Sequence, residues 1–383
     1  MKKIDRNVVM LGWVSLFTDM ASAMITPLLP VFVVTVLHEG VDKLGIIVAV
    51  ATFVSYALRL LSGYLSDRYG IVKPLVVGGY ALSALSKPLL GLAHHYQGVA
   101  ALKAAERLGK GIRSAPKDLL LSHYSAHNAS GKTFGFHKTM DITGELSGLL
   151  ILFGILWYFG QSETVIRSIF YATLLPGVVG LLIVLFGVRD LPKAEQHPVL
   201  SFHLTDRDKH AISSLLFYFL FLFFLFNDAF FTIQAEQTGI KVMYIPLLFA
   251  LSAAVQTVSS YGFGLLIDGT GAQKVLAFAY GCGVAAQGLL ALQTPLFTWM
   301  AFAFLGLFTV ASLNANRAFI SQYADNRGVV YGVFYAGIAL SGALGAYVSG
   351  MVWEHLGMQT ALLLSFGGTL LVSLLFLPGK HHD

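Results

Sequence analysis

GYLSDRYGIVK, residues 63–73, returns two hundred residues later as GLLIDGTGAQK, residues 264–274, with Gly63, Asp67, Gly70 and Lys73 answered by Gly264, Asp268, Gly271 and Lys274 at identical spacing. Each copy follows an apolar run long enough to cross a bilayer, so the repeat divides the chain into two similar halves. Two further echoes keep the same order. LFTDMA around Asp19 is answered by LFNDAF around Asp228, and Ser122 and Tyr124 by Ser321 and Tyr323. Parallel repeats of this size are a transporter architecture.

The rest of the chain agrees with that division. Of its 383 residues 56% are hydrophobic and only 12% charged, whereas a soluble domain carries about a quarter charged. Apolar segments fall near 8–37, 43–66, 74–93, 97–123, 134–160, 163–188, 210–235, 241–267, 275–293, 296–320, 330–353 and 358–378. At about 20 residues per crossing, these twelve predict an all-α, multi-pass membrane protein with no room for a soluble domain. The one long polar connection, Arg189 to His210, predicts a bundle over 1–188, a linker over 189–209 and a second bundle over 210–383. Lys2, Lys3, Arg6, Arg68, Lys73, Arg189, Lys193, Arg207, Lys209, Arg327 and Lys380 fall on one side of the expected membrane, against Lys43, Arg167 and Lys241 on the other. Both termini are therefore expected in the cytoplasm.

That loop bias accounts for the net charge of +5 without nucleic acid. The N-terminus imitates a signal peptide, but Asp19 interrupts the apolar core and the run continues to Leu37, as a first spanning helix does. The single cysteine, Cys282, excludes an intramolecular disulfide. Ser130-Gly131-Lys132-Thr133 lacks the earlier glycine and the strand of a phosphate-binding loop. His94-His95 and His381-His382 lack further ligands at metal spacing, so no metal or other cofactor is expected. No nucleophile has a supporting base, which argues against an enzyme.

Twelve segments in two halves, with GYLSDRYGIVK between the second and third, resemble the major facilitator superfamily (MFS), whose loop signature is Gly-x-x-x-Asp-Arg/Lys-x-Gly-x-x-Lys/Arg. FTDMASAMITPLLP, RLGKGIRSAPKD, FGFHKTMD and FNDAFF are similar to a bacterial branch whose fourth helix reads Arg-x-Gly-Lys-Gly-x-Arg-x-x-Pro-Arg-Asp; here Lys117 replaces the last Arg. The resemblance implies two pseudo-symmetric six-helix bundles in a bacterial inner membrane. It also implies gating at the two loops: Gly63, Asp67, Arg68, Gly70 and Lys73 in one, and Gly264, Asp268, Gly271 and Lys274 in the other.

Chemistry concentrates in KAAERLGKGIRSAPKD, residues 103–118. On a helix, Lys103, Glu106, Arg107, Lys110, Arg113, Lys117 and Asp118 share an arc of roughly 140°. Charges at bilayer depth each cost at least ~2.5 kcal/mol, so this face must meet protein, water or ligand. Five basic groups face two acidic ones, which fits an anionic ligand or pairing with other helices equally well. Arg107, Lys110, Arg113 and Lys117 are the candidate ligand-binding cations, and Gly109, Gly111 and Pro116 are expected to weaken and bend the helix. His137, Asp141 and Glu145 lie at i, i+4 and i+8 and are candidates for proton or ion coupling, or for static pairing with the fourth helix. Asp19 and Asp228 are read as matching mid-segment carboxylates with a similar choice of roles. Asn227, Asn314, Asn316 and Arg317, with Gln234, Tyr331 and Tyr335, supply polar lining from the second half.

The expected function is secondary active transport by alternating access, proton-coupled, as symporter or antiporter. The substrate expected is a small organic anion bearing carboxylate or phosphate, with a citrate-type siderophore as one guess. Multidrug efflux is the alternative within transport, and a membrane receptor without flux the alternative outside it. The partners expected are that substrate, a coupling ion and the lipid bilayer, around a monomer.

Overall fold

A computed structural model describes residues 5–69, 71–125, 130–191 and 204–376. All regular structure among them is helical. The elements are α1 (Arg6–Ile25), α2 (Leu28–Val31) continued by a π turn (Phe32–Val36), α3 (Val41–Tyr69), α4 (Lys73–Leu89), α5 (Tyr96–His123), α6 (Ser130–Phe159), α7 (Glu163–Ala172) and α8 (Leu174–Leu182), which also ends in a π turn (Ile183–Gly187). Then come α9 (Asp206–Phe224), α10 (Asp228–Gln237), α11 (Ile245–Thr270), α12 (Ala272–Ala291), α13 (Pro295–Tyr323), α14 (Arg327–Leu356) and α15 (Met358–Phe376).

Among the described residues eleven stretches are long and apolar enough to cross a membrane. The charged helix α5 is not one of them, yet its 28 residues, about 42 Å at 1.5 Å each, would span as well as any other. Large apolar side chains such as Trp157, Phe186, Val258 and Leu375 stand exposed, as a lipid-facing surface requires.

The chain forms two compact units, Met1–Glu39 with Val50–Val199, and Gly40–Ala49 with Leu200–Asp383. In the first, α1 packs on α6, α4 on α5, and α8 against both α1 and α4. Val8, Leu11 and Val14 meet Val76, Tyr80, Leu120 and Val184 in its core. In the second, α13 packs on α11 and α12, and α9 on α14 and α15. Its core is aromatic: the Phe221 ring stacks on Tyr280 at 4.5 Å and on Phe308 at 5.2 Å. The unit also takes in the first turns of α3, where the Glu354 carboxylate accepts from Val41 N at 2.8 Å and satisfies a helix start.

The fourth segment, expected to be weakened and bent by Gly109, Gly111 and Pro116, forms one continuous helix, α5, whose Gly111 carbonyl receives the Ser62 hydroxyl at 2.9 Å. Gly109 permits close approach, since a Cβ there would lie 2.5 Å from the Gly79 carbonyl oxygen of α4, and the reverse is equally true. Two sequence expectations change here, both at the seventh segment. The seventh segment, expected to run unbroken over 210–235, opens between α9 and α10 at Leu225, whose ψ is 125°. Asn227 then caps α10 by accepting from Ala229 N at 2.9 Å. Asp19 consequently lies inside α1 whereas Asp228 is the first residue of α10, so the two aspartates do not hold matching places. The freed Phe224 carbonyl receives the Ser365 hydroxyl at 2.6 Å.

Of the repeated loops, Gly63, Asp67 and Arg68 fall on the last turns of α3, and Gly70 lies outside the described residues. Lys73 opens α4, its N–H donating to Asp190 Oδ1 at 3.1 Å and its Nζ to the Leu185 carbonyl at 2.9 Å. In the second copy Gly264 and Asp268 belong to α11, and Gly271, at φ +90°, makes the left-handed reversal into α12, which contains Lys274. Most of the expected linker lies outside the described residues, and α9 begins at Asp206, closed by a reciprocal Thr205–Asp208 cap.

Gly109→Ala should destabilise the protein by about 1–3 kcal/mol in denaturant titration of mixed micelles, because backbone must move. Gly78→Ala, where a Cβ meets nothing within 4 Å, should cost less than about 0.5 kcal/mol.

Candidate functional site

In the first unit α1, α4, α5 and α6 bring together charged side chains from four helices. The Glu106 carboxylate, 3% exposed, binds Lys103 Nζ at 2.6 Å one turn back on α5, with Arg107 Nε at 3.9 Å. Arg113 is also buried, but its partners are neutral: its Nη1 donates to the Gly79 carbonyl at 3.4 Å and its guanidinium lies 4.3 Å from the centre of the Tyr80 ring. The close contact of Gly79 with Gly109 brings α4 near enough for both interactions. Among the expected ligand-binding cations, Arg113 is thus held by its own fold and Arg107 lies half-buried near an acid. The side chains of Lys110, exposed, and Lys117, half-buried, make no hydrogen bond or ion pair with another described residue.

Sequence reading passed over Lys87. It lies on α4, 1% exposed, and its Nζ donates to the Thr18 carbonyl of α1 at 3.1 Å, with Asp19 and Glu106 in electrostatic range. An ammonium so placed has two further N–H groups and no direct ion pair among the described residues. The signal was present in SALSKPLLGL: a lone lysine inside an apolar segment is a functional candidate by default.

On α6, His137 is 5% exposed and joins two helices. Its Nδ1 is 3.3 Å from Asp141 Oδ1, and its Nε2 is 3.0 Å from Ser15 Oγ of α1. The Ser15 hydroxyl can donate to or accept from Nε2, so the His137 ring links α1 to the carboxylate of its own helix. The order Ser-His-Asp imitates a hydrolytic triad, but Ser15 is 3% exposed and presents no nucleophile. Asp141 is in electrostatic range of Lys117, and Asp19 of both Lys110 and Lys117. Glu145, a turn beyond Asp141, is exposed.

The second unit offers amides in place of carboxylates. Asn314 Nδ2 donates to the Ser260 carbonyl at 3.4 Å. Asn316, 1% exposed, donates to Ser312 of its own helix at 2.9 Å, and Asn227 is occupied as a cap. Arg317 donates to the Tyr335 hydroxyl at 3.5 Å, while the Tyr331 hydroxyl donates to the Arg317 carbonyl at 3.0 Å. Gln234 is fully buried between the Leu290 carbonyl and the Thr298 hydroxyl. Asp228 sits in the first turn of α10, where a carboxylate favours the helix start. No group of three or more His, Cys, Asp or Glu among the described residues is arranged to hold a metal.

Comparison with known proteins places this geometry. The model of the Major Facilitator Superfamily matches residues 11–346. An uncharacterised MFS-type transporter of Methanocaldococcus jannaschii is 28% identical over 367 residues, covering 92% of this chain and 90% of that protein. The crystal structure of the nucleoside transporter NupG aligns over 99% of this chain and 100% of its own with a TM-score of 0.81 at 14% identity. The human organic anion transporter MFSD10 aligns over 98% and 100% with a TM-score of 0.68 at 16% identity. At those identities the structures speak for the fold.

Glu106→Gln should cost about 3–5 kcal/mol of stability, since Lys103 would remain buried without its anion. Replacing both partners, Lys103→Met with Glu106→Leu, should recover most of that loss in the same unfolding measurement.

Proposed function

Starting from a chain that belongs to the Major Facilitator Superfamily, a multi-pass membrane transporter and not an enzyme, we propose that it carries a small organic anion by alternating access, coupled to protons. The observation that supports the anion is the pair Lys110 and Lys117, two ammonium groups on one face of α5 without a bonded partner among the described residues. Lipophilic cations, the usual cargo of multidrug efflux, would be repelled there. Arg107 adds a third cation beside them. Arg113 acts through position, stacked on Tyr80. Within the second unit, Arg317 beside Tyr331 and Tyr335 is a separate substrate-binding candidate.

Coupling is assigned to Asp141, with His137 and Ser15 as its relay. Asp141 is shared between His137 and the field of Lys117. An anion that draws Lys117 away removes a positive charge from Asp141 and makes its protonation less costly, so ligand and proton bind with mutual preference. Asp19 supplies the competing negative charge that holds Lys110 and Lys117 when no ligand is present. The repeated loops carry the gating, and the Lys and Arg distribution favours cytoplasmic termini in a bacterial inner membrane.

Uptake of labelled carboxylates and phosphate esters into proteoliposomes, with and without a pH gradient, tests the reading. Accumulation should follow the gradient in wild type. Asp141→Asn should retain exchange of the anion across the membrane but lose gradient-driven accumulation. Normal movement of lipophilic cations, with none of any anion, would replace this reading with efflux.

A further inference from the structure

The second unit holds a charge that its own fold leaves almost unused. Arg317 is the one Asp, Glu, Lys or Arg on α13. It stands six residues before Tyr323, hence about 9 Å along the axis from the helix end. A guanidinium at that depth does not face lipid without cost, and this one is exposed, so the face it occupies is a wet one. An arginine that merely snorkels extends past the end of its helix to the headgroups. Arg317 is turned to α14 instead: its Nη2 donates at 3.5 Å to the hydroxyl of Tyr335, rooted about 12 Å in from the start of that helix. The bond is longer than usual and is the one the guanidinium makes among the described residues, so most of its five N–H donors are left for another acceptor.

Two phenol rings stand beside this cation. Tyr331 and Tyr335, one turn apart on α14 and half-buried, have rings inclined by 23° with centres 6.5 Å apart. At that distance near-parallel rings leave most of each face uncovered by the other. Both are tied to α13: the Tyr331 hydroxyl donates to the Arg317 carbonyl at 3.0 Å, and the Tyr335 hydroxyl accepts from the guanidinium. Cation and rings are therefore one assembly held by two helices. Asn314, one turn before Arg317, adds an amide whose Nδ2 donates to the Ser260 carbonyl of α11 at 3.4 Å.

The three parts together select a chemistry. A guanidinium is a planar fork that takes both oxygens of a carboxylate. A phenol face carries negative potential, so it disfavours a second acid group and favours the edge or offset face of a neutral ring. One cation with two such faces suits one acid joined to one flat ring. Resting on the reading of this group as a substrate-binding candidate in an anion carrier, we propose that Arg317, Tyr331 and Tyr335 bind a carboxylate borne on an aromatic ring, the acid on the guanidinium and the ring against the phenols.

The test uses the purified full-length chain in detergent at pH 7 and constant ionic strength. Its thermal midpoint is followed against benzoate, cyclohexanecarboxylate, which keeps the charge without the flat ring, and benzamide, which keeps the ring without the charge. Benzoate should act at a concentration about fivefold below cyclohexanecarboxylate and about tenfold below benzamide. Arg317→Gln should weaken the benzoate response about tenfold. Tyr335→Leu should remove the advantage over cyclohexanecarboxylate, and Tyr335→Phe should retain it. The midpoint of each variant without ligand reports its folding, and the comparison of the three compounds on the wild type stands without the variants. The proposal is overturned if cyclohexanecarboxylate or benzamide matches benzoate on the wild type, if a folded Arg317→Gln variant responds to benzoate as the wild type does, or if benzoate has no effect. Proteoliposome uptake separates its failure from that of the broader reading. Accumulation of aliphatic anions with no preference for aryl acids would leave an anion carrier and remove the aromatic site. Movement of lipophilic cations with no anion would remove both.

Discussion

A charged side chain inside a bilayer-embedded bundle must be compensated by something within a few ångströms, and the first unit is arranged by that requirement. Three different solutions coexist on α5. Lys103 has an anion, Glu106, in direct contact. Arg113 has none but spreads its charge over the Tyr80 ring and a carbonyl dipole. Lys110 and Lys117 have neither, and lie in the more distant fields of Asp19 and Glu106 for the first and of Tyr80, Asp141, Asp118 and Asp19 for the second. Only the third arrangement leaves groups that can change partner without dismantling the fold, which is why the functional reading rests on them.

The second unit meets the same solvent with neutral chemistry. Its polar interior pairs amides with carbonyls and hydroxyls, as in Gln234 between Leu290 and Thr298, and its volume is filled by stacked rings around Phe221. Neutral pairs carry no long-range field, so they fix geometry without competing for an ion. The break at Leu225 fits this economy of charge: the freed carbonyl of Phe224 is answered by a serine hydroxyl, and the new helix start by Asn227. A duplicated chain has thus diverged into one half that is electrostatic and one that is mostly polar and aromatic.

Much of this was legible in the sequence. The apolar segments, the duplicated loop and the charged face of α5 follow from hydropathy and from a 100° step, both local properties. What a helical wheel cannot contain is the neighbour. It placed Arg113 with Lys110 because they share a face, but could not see that Gly79 and Gly109 let α4 approach and set Tyr80 under one guanidinium alone. Lys87 was missed for a related reason: as a single charge in an apolar run it forms no local pattern, and it acquires meaning only beside Thr18, Asp19 and Glu106. Asn227 was read as polar lining and Asp228 as a coupling carboxylate, and neither reading used the helix start that the Asn227 side chain caps.

The two glycines also explain why the helix carrying the site can be both highly charged and stable. A helix with α5's composition gains little from burial against lipid, and Gly109, Gly111 and Pro116 lower its intrinsic propensity further. Its order must come from α4, along a seam where the backbones nearly touch and where Ser62 of α3 adds a bond to the Gly111 carbonyl at 2.9 Å. Close backbone contact holds the axis of α5 still and engages Arg113 of its charged face on Gly79 and Tyr80. In the proposed cycle Lys110 and Lys117 then change between an internal carboxylate and an incoming anion without the helix itself having to yield.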